Sequence, residues 1–552
     1  MKNRFKQTAC TSMDSYKLGH PPQYPEGTEV VYSNFTPRSE KHFNVPDEYK
    51  LGGVVWAGLQ EFLYAFNAIW QETFFDLPID EVSDEFKEFA APFCGPNGYD
   101  TSRMEALHKL GYLPLMVKSL PEGVVVPIGV PPMTMYNTHK DFGWLTNSIE
   151  TWTSTELWMT CTSATTTFVY RKILDKYVDL TGGSAEFSEW QIHDFCVRGM
   201  AGIYAAAKSG YGHLLSSLGT DNLPAVKLVN DVYRGKETFV GGSVPATEHS
   251  VMCAGGKESE LETFRRLIKL YHSGVVSIVS DTWNLWNVIG GPTSLAAQLK
   301  DEILARVPDS LGLAKVVFRP DSGDPVKIIT GYKIYNPDLH DCTYWEMQEE
   351  GYEVFFNPDS GMYYPIKYFY DRDGYVDSYE YGSEISEWEA KGALDCLAEI
   401  FGTTTNDKGF KTLNQRVGLI YGDSITPVRA EQILQRMMDK GYASDNIVFG
   451  VGSYTFQYVT RDTFGFAMKA TYVVINGEGS AIFKDPITDS GLKKSAKGLL
   501  KVTKENGKYV LWNNVTVEEE QEGELVPVYK HGKILINDSI ATIRNRLRAY
   551  RV

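Results

Sequence analysis

Apolar and polar positions along this chain repeat one arrangement: a short β-branched or apolar run stops at a polar, chemically capable residue, and a stretch of helical period follows. In "AKVVFRPDSGDP" (314–325), Val316, Val317 and Phe318 end at Arg319. Pro320 and Pro325 forbid a continuing central strand and Ser-Gly is turn chemistry, so Arg319, Asp321 and Asp324 are expected on a loop leaving a buried strand. Six other stretches read alike: "EWQIHDFCVRG" (189–199), "HLLSSLGTD" (213–221), "TFVGGSVPATEHS" (238–250), "GVVSIVSDTW" (274–283), "RVGLIYGDS" (416–424) and "NIVFGVGS" (446–453). Between the last two, "TPVRAEQILQRMMDKG" predicts a helix with Thr426 as N-cap and Pro427 at the first helical position, and with Val428, Ile433, Leu434 and Met437 on one face. Strands alternating with helices imply a parallel sheet. About seven such units over roughly 270 residues predict a (β/α) barrel at 186–455, with its chemistry at the C-terminal ends of the strands.

The flanks, 1–185 and 456–552, are expected to form one composite α+β domain. The strand-like "KATYVVING", "GKYVLW" and "HGKILIN" would pair there with N-terminal segments such as "GTEVVYSNF", and "SIATIRNRLRAYRV" would pack on it as an amphipathic basic helix. Residues from about 332 to 400 read as an acidic, tyrosine-rich insertion of hairpins. Thirteen acidic residues face two basic ones between 341 and 390, and the turn pairs and aromatics argue for strands over a flexible linker.

At 552 residues and 43% apolar content, core size is not limiting. A net charge of -16 argues against a general affinity for nucleic acid or anionic membrane, so an anionic ligand must meet a local basic cluster. The N-terminal "MKNRFKQTACTSMDSYKLGH" has no apolar h-region and no run of eighteen apolar residues occurs, which predicts a soluble, cytoplasmic protein. Seven scattered cysteines without a C-x-x-C pair fit reduced thiols.

The strand ends would gather a coherent set. Gly422 and Asp423, then Gly450 to Ser453, come from the last two strands, where barrels commonly bind phosphate because glycine lets backbone N–H groups approach the anion. Arg198 and Arg319 can grip phosphate oxygens, while Asp281, Asp321 and Asp423 could hold sugar hydroxyls or Mg²⁺. Cations with acids suggest a phosphorylated sugar and magnesium. Taken singly, each residue also has a plainer reading: Phe195 as a core aromatic, Tyr16 as a packing tyrosine, His249 as a neutral histidine in the sheet, and Asp221 as the next helix's N-cap.

The ordered set "MDSYKLGH", "HDFCVRG", "GTD", "PATEHS", "VSDTW", "RPDSGDP", "GDS" and "TRDTFGFAMKATYV" closely resembles the nicotinamide phosphoribosyltransferase family, in its bacterial and phage branch, from about residue 13 to about 500. The resemblance implies a type II phosphoribosyltransferase-like barrel in a homodimer with shared active sites. It also implies the joining of nicotinamide to 5-phosphoribosyl 1-pyrophosphate, giving nicotinamide mononucleotide and pyrophosphate. By matching motif, Phe195 stacks on one face of the nicotinamide and Tyr16 of the other subunit on the opposite face, with Asp14 in the same motif. Asp221 accepts from the carboxamide and Arg319 donates to its carbonyl. Asp321, Gly422 and Asp423 face the ribose, and Gly452 and Ser453 its phosphate. Arg198, with Arg38, Arg461, Lys469 and Lys493 across the dimer, reaches phosphate oxygens. His249 matches the histidine phosphorylated from ATP, and Asp281 the carboxylate paired with it. Mg²⁺ is implied on the pyrophosphate, with Asp281 and Asp321 as the carboxylates that could share it and no direct protein ligand set. Ser453 and Tyr454 depart from a glycine triplet of the animal relatives. The rival reading is a nicotinate phosphoribosyltransferase, with the same fold and reaction and an acid substrate; the Asp221 carboxylate would repel that acid. A non-catalytic barrel is disfavoured by the intact strand-end set, and an aldolase or isomerase by the lack of a lysine at any strand end.

Overall fold

The computed structural model describes residues 5–94, 101–422, 424–483 and 496–551. Asp423 and Lys493 therefore lie outside the described residues.

Six parallel strands form the barrel sheet, in the order Gly219–Thr220, Ile192–Asp194, Ile447–Val451, Val417–Tyr421, Val316–Arg319, Val276–Val279. The interior strands are short and mostly buried, three of them apolar runs and the fourth Ile-His-Asp, as a sheet covered by helices requires. The ring closes through 242–246, where single parallel bridges join Gly219 to Gly242 and Ala246 to Ser277. "TFVGGSVPATEHS" is thus an irregular segment between the two edge strands rather than the expected strand, because Gly241, Gly242 and Pro245 leave too few apolar, donor-bearing positions for a ladder. In "HLLSSLGTD", His213 and Leu214 end the helix Ile203–Leu214, and only Gly219–Thr220 is strand. The predicted helix is Pro427–Asp439: Thr426 Oγ1 accepts from the Arg429 N–H at 3.3 Å, and Ile433, Leu434 and Met437 are buried.

The second layer is a seven-stranded sheet, ordered Glu478–Ala481, Ala467–Ile475, Thr28–Thr36, Met133–Asn137, Leu115–Ser119, Val526–Lys530, Lys533–Ile534. "GTEVVYSNF" pairs antiparallel with "KATYVVING", Asn34 opposite Lys469. "GKYVLW" instead belongs to a separate hairpin, Leu499–Glu505 with Lys508–Val515. Between sheet and barrel runs one 32-residue helix, Glu150–Thr181, most of it buried although rich in threonine. Many of its hydroxyls are satisfied within the helix: Thr153, Thr165, Thr166, Thr167 and Thr181 each donate to the carbonyl four residues back. The helix Ile203–Leu214 crosses it so closely that a Cβ on Gly212 would stand 2.7 Å from the Thr160 carbonyl oxygen.

The C-terminal helix Ile540–Arg548 does not pack on the flanking domain alone. Its Arg544 is buried and donates to the carbonyls of Leu214, Phe239 and Val240, and the Ile540 N–H donates to the Tyr233 carbonyl, all four acceptors within the barrel's span. The expected insertion also divides. A sheet of Ile334–Tyr335, Val354–Asn357, Met362–Tyr370 and Val376–Tyr381 stands outside the barrel. Residues 387–401 are two helices whose Ala393, Leu394, Leu397 and Phe401 belong to the main core. The Tyr332 N–H bonds the Ala390 carbonyl at 2.9 Å, so the chain leaves and re-enters the barrel at one point.

Candidate active site

Parallel strands bring their C-terminal ends to one rim, and there the strand-end residues meet. Asp221 follows Thr220, and its backbone N–H bonds the Asp194 carbonyl at 3.0 Å. Its side chain is not an N-cap: the helix Leu223–Val232 is capped by Asn222. Asp221 Oδ1 lies 2.9 Å from His193 Nε2 and also accepts from Ser243 Oγ, while Oδ2 has no partner among the described residues. A carboxylate only accepts, so His193 must carry its proton on Nε2. Partial burial raises the Asp221 pKa, but the bonds from His193 and Ser243 and the charge of Arg319 outweigh it and hold the group below the ordinary carboxylate range.

Phe195 is half-buried; its N–H bonds the Val451 carbonyl at 2.9 Å and its ring lies 4.6 Å from the His193 ring. The Arg319 guanidinium donates from Nη2 to the Thr247 carbonyl at 2.7 Å, and its Nε is buried without an acceptor among the described residues. Burial lowers its pKa; the charges of Asp321, Asp221 and Asp281 oppose that shift and Arg198 adds to it, so these five groups share one field. Asp281 Oδ2 accepts from the Asp321 N–H at 2.8 Å, and its Oδ1 is 3.5 Å from His249 Nε2. Among the described residues Oδ1 has no hydrogen-bond donor, and the Asp281 side chain is only 6% exposed. His249 opens the helix His249–Cys253 and is 46% exposed.

Glycine is required where the rim is tightest. A Cβ on Gly422 would stand 2.6 Å from Asp321 Oδ1, and one on Gly450 would meet the Tyr421 carbonyl at 2.6 Å. Gly452 precedes the short helix Ser453–Gln457, and Ser453 Oγ lies where a Gly199 Cβ would be, which places Ser453 against the turn that carries Arg198.

Other candidates stand elsewhere in the chain. Tyr16 is 61% exposed on the turn Ser15–Gly19, with its described ring contacts to His20 and Lys17. Asp14 Oδ2 accepts from Thr151 Oγ1 at 2.5 Å. Arg38 Nε donates to the Gly465 carbonyl at 2.8 Å and feels the charge of Arg461, so those two form a second basic pair, with exposed Lys469 on the strand Ala467–Ile475. None of these has a described contact with Phe195 or Asp221. His193, Ser243 and Thr247 are site residues that the strand-end reading passed over. His193 stands inside "HDFCVRG", and alternation along that strand would place its side chain and that of Phe195 on one face.

Residues 190–519 match the nicotinate phosphoribosyltransferase (NAPRTase) family. The chain is 46% identical to the nicotinamide phosphoribosyltransferase of Acinetobacter baylyi, over 98% of this chain and 97% of that protein. It is 30% identical to the protein of the same name from Mycoplasma pneumoniae, over 86% of this chain and 92% of that one. The crystal structure of nicotinate-nucleotide pyrophosphorylase from Pyrococcus furiosus shares the fold, with a TM-score of 0.52, 14% identity, and coverage of 100% of this chain and 98% of that one. By sequence over most of its length and by architecture, the chain belongs to the nicotinate phosphoribosyltransferase family.

Proposed function

We infer that the enzyme transfers the 5-phosphoribosyl group of phosphoribosyl pyrophosphate to nicotinamide, yielding nicotinamide mononucleotide and pyrophosphate in NAD salvage. The observation that carries this reading is the ionised Asp221, fixed through Oδ1 by His193 and Ser243 with Oδ2 open to a donor. A carboxamide N–H₂ supplies that donor, and its carbonyl accepts from Arg319. Nicotinate offers two acceptors and a negative charge, and is refused by the same group. The relatives named for nicotinamide support the same choice.

The pyridine nitrogen has a free lone pair, so attack on the anomeric carbon needs no general base. The chain's task is positioning and charge stabilisation. Phe195 offers one flat face to the ring, and Tyr16, which has no described contact with Phe195 within one chain, would supply the other from a second subunit; this is the reason to read the enzyme as a homodimer. Asp321, Gly422 and Asp423 would hold the ribose, and Gly452, Ser453, Arg198, Arg38, Arg461, Lys469 and Lys493 the phosphates. Mg²⁺ would sit on the pyrophosphate, where it would neutralise leaving-group charge. Asp281 and Asp321 are the carboxylates that could share it. His249 is the proposed acceptor of the ATP γ-phosphoryl group, its Nε2 3.5 Å from Asp281 Oδ1. A cytoplasmic setting suits a salvage enzyme whose described helices include none long and apolar enough to cross a membrane.

The test is to incubate the protein with phosphoribosyl pyrophosphate, Mg²⁺ and nicotinamide, and to identify the products by mass. Nicotinamide mononucleotide with equimolar pyrophosphate supports the reading; failure to form either overturns it.

A further inference from the structure

The chain leaving the strand Val417–Tyr421 passes through Gly422 and then through a residue of unusual backbone. Ser424 has φ 56°, a left-handed conformation that a side chain disfavours and glycine accepts freely. Its neighbours are anchored independently of it. The Tyr421 hydroxyl donates to the Gly323 carbonyl at 2.9 Å and the Gly422 N–H to the Pro320 carbonyl at 3.0 Å, which ties this turn to the loop carrying Asp321. On the far side Ile425 is fully buried, and its carbonyl accepts from the Tyr170 hydroxyl at 2.6 Å. Between these anchors the Ser424 carbonyl has one donor among the described residues, Arg429 Nη1 at 2.6 Å. Arg429 is the third residue of the helix Pro427–Asp439, where the helix dipole disfavours a cation. Elsewhere in the chain that place goes to a glutamate that returns the cap's hydrogen bond, Glu346 to Thr343 and Glu519 to Thr516. Arginine has no acceptor with which to do this, and its side chain reaches back to Ser424 instead. It also stands in the field of the rim: burial pushes the Tyr421 hydroxyl up, the charges of Asp281, Asp321 and Asp324 add to that shift, and Arg429 opposes it.

We propose that Arg429 is a positioning residue for phosphoribosyl pyrophosphate: its guanidinium latches the Ser424 carbonyl, holds that residue left-handed, and so keeps the backbone at Gly422 set for the ribose. The inference rests on the proposed function, which places the ribose at Gly422. Without the latch Ser424 relaxes toward negative φ, and only a fraction of the molecules present the turn in its binding form. Apparent affinity then falls by that fraction, while the complex, once formed, is unchanged. The signature is a weaker Kd with a nearly preserved kcat at saturation.

The experiment is isothermal calorimetry of phosphoribosyl pyrophosphate with Mg²⁺ on the full chain, without nicotinamide, alongside kcat at saturating phosphoribosyl pyrophosphate, in the parent, Arg429→Ala, Arg429→Lys, Ser424→Gly and the double variant Ser424→Gly with Arg429→Ala. Arg429→Ala should weaken binding by about tenfold or more, the loss of a hydrogen bond from a charged donor, with kcat within about threefold. Arg429→Lys, which keeps a donor, should recover part of the affinity. Glycine takes the left-handed conformation at no steric cost, so in the Ser424→Gly background the same Arg429→Ala change should cost at least about threefold less. An affinity loss that Ser424→Gly does not diminish makes Arg429 a direct ligand or a support of the fold, and overturns the latch. So does unchanged affinity in Arg429→Ala, or a fall in kcat with affinity intact. A parent that forms nicotinamide mononucleotide while Arg429→Ala binds like the parent sinks this inference alone; a parent that binds phosphoribosyl pyrophosphate without forming the mononucleotide sinks the proposed function, and the affinities of the five proteins still decide the latch.

Discussion

His193 Nε2 donates to Asp221 Oδ1 across 2.9 Å, joining the end of one barrel strand to the end of its neighbour. The bond fixes both the tautomer of the histidine and the direction of the carboxylate. It is therefore as much a part of substrate choice as Asp221 itself. Replacing His193 by Phe removes the donor while keeping a flat ring beside Phe195. A hydrogen bond to a charged group contributes about 1.5–3 kcal/mol, so kcat/KM for nicotinamide should fall by about 10- to 100-fold. His193→Gln, whose amide can still donate, should recover part of it. Equal activity in all three proteins would remove His193 from the account.

Asp221 also links the site to the acid limb of stability. Its folded pKa lies below the unfolded one, so the ionised carboxylate favours the fold above the ordinary value near ~4, and that contribution is lost as pH falls through the folded value. Asp221→Asn lacks this dependence. The Tm difference between parent and variant should therefore shrink as the pH is lowered from about 6 to about 3. A difference constant across that range would contradict the pairing.

His249 is expected to separate coupling from chemistry. Because the displacement needs no base, His249→Ala should keep basal transfer within about threefold and lose its stimulation by ATP. The readout is ADP released per mononucleotide formed. Stoichiometric hydrolysis persisting in the variant would assign the phosphoryl acceptor elsewhere.

The outer sheet can be removed where the chain leaves and re-enters the barrel. Deleting 334–385 with a short Gly/Ser bridge keeps the helices of 387–401, whose residues are in the core. It does remove Glu353, which pairs with Lys327 and Arg436 on two barrel helices. Turnover should stay within about twofold while Tm drops by about 2–4 °C. Lost activity in a still-folded protein would make the sheet part of the site.

The barrel was readable because several of its strands are β-branched or apolar runs cut off by Arg319-Pro320, Gly422 and Gly452, and because Thr426-Pro427 marks a helix start with little ambiguity. Apolar pattern failed where it was shared between elements. His213 and Leu214 look like the beginning of a strand and are the end of a helix. Residues 238–250 carry the chemistry of a strand end on a segment held by one bridge at each side. The insertion's far boundary was hidden because Trp388 to Phe401 is apolar at helical spacing directly after an aromatic sheet. Of the site, the acids and arginines at strand ends were legible from position. Asp14, Tyr16, Arg38 and Lys469 rested on motif alone, since nothing in one chain's pattern says what a second copy would bring.

Substrate choice is the central claim, and it is tested most directly by the ratio of kcat/KM for nicotinamide to that for nicotinate at fixed phosphoribosyl pyrophosphate, in the parent and in Asp221→Asn. A site that hydrogen-bonds a donor can reject an analogue lacking it by roughly 10⁴-fold, so the parent ratio should be of that order. The variant, with an amide that can donate and no charge, should lower the ratio by on the order of a hundredfold or more. A parent that prefers nicotinate, or a variant in which both activities fall by the same factor, would contradict the account and leave Asp221 as a loop-positioning residue only.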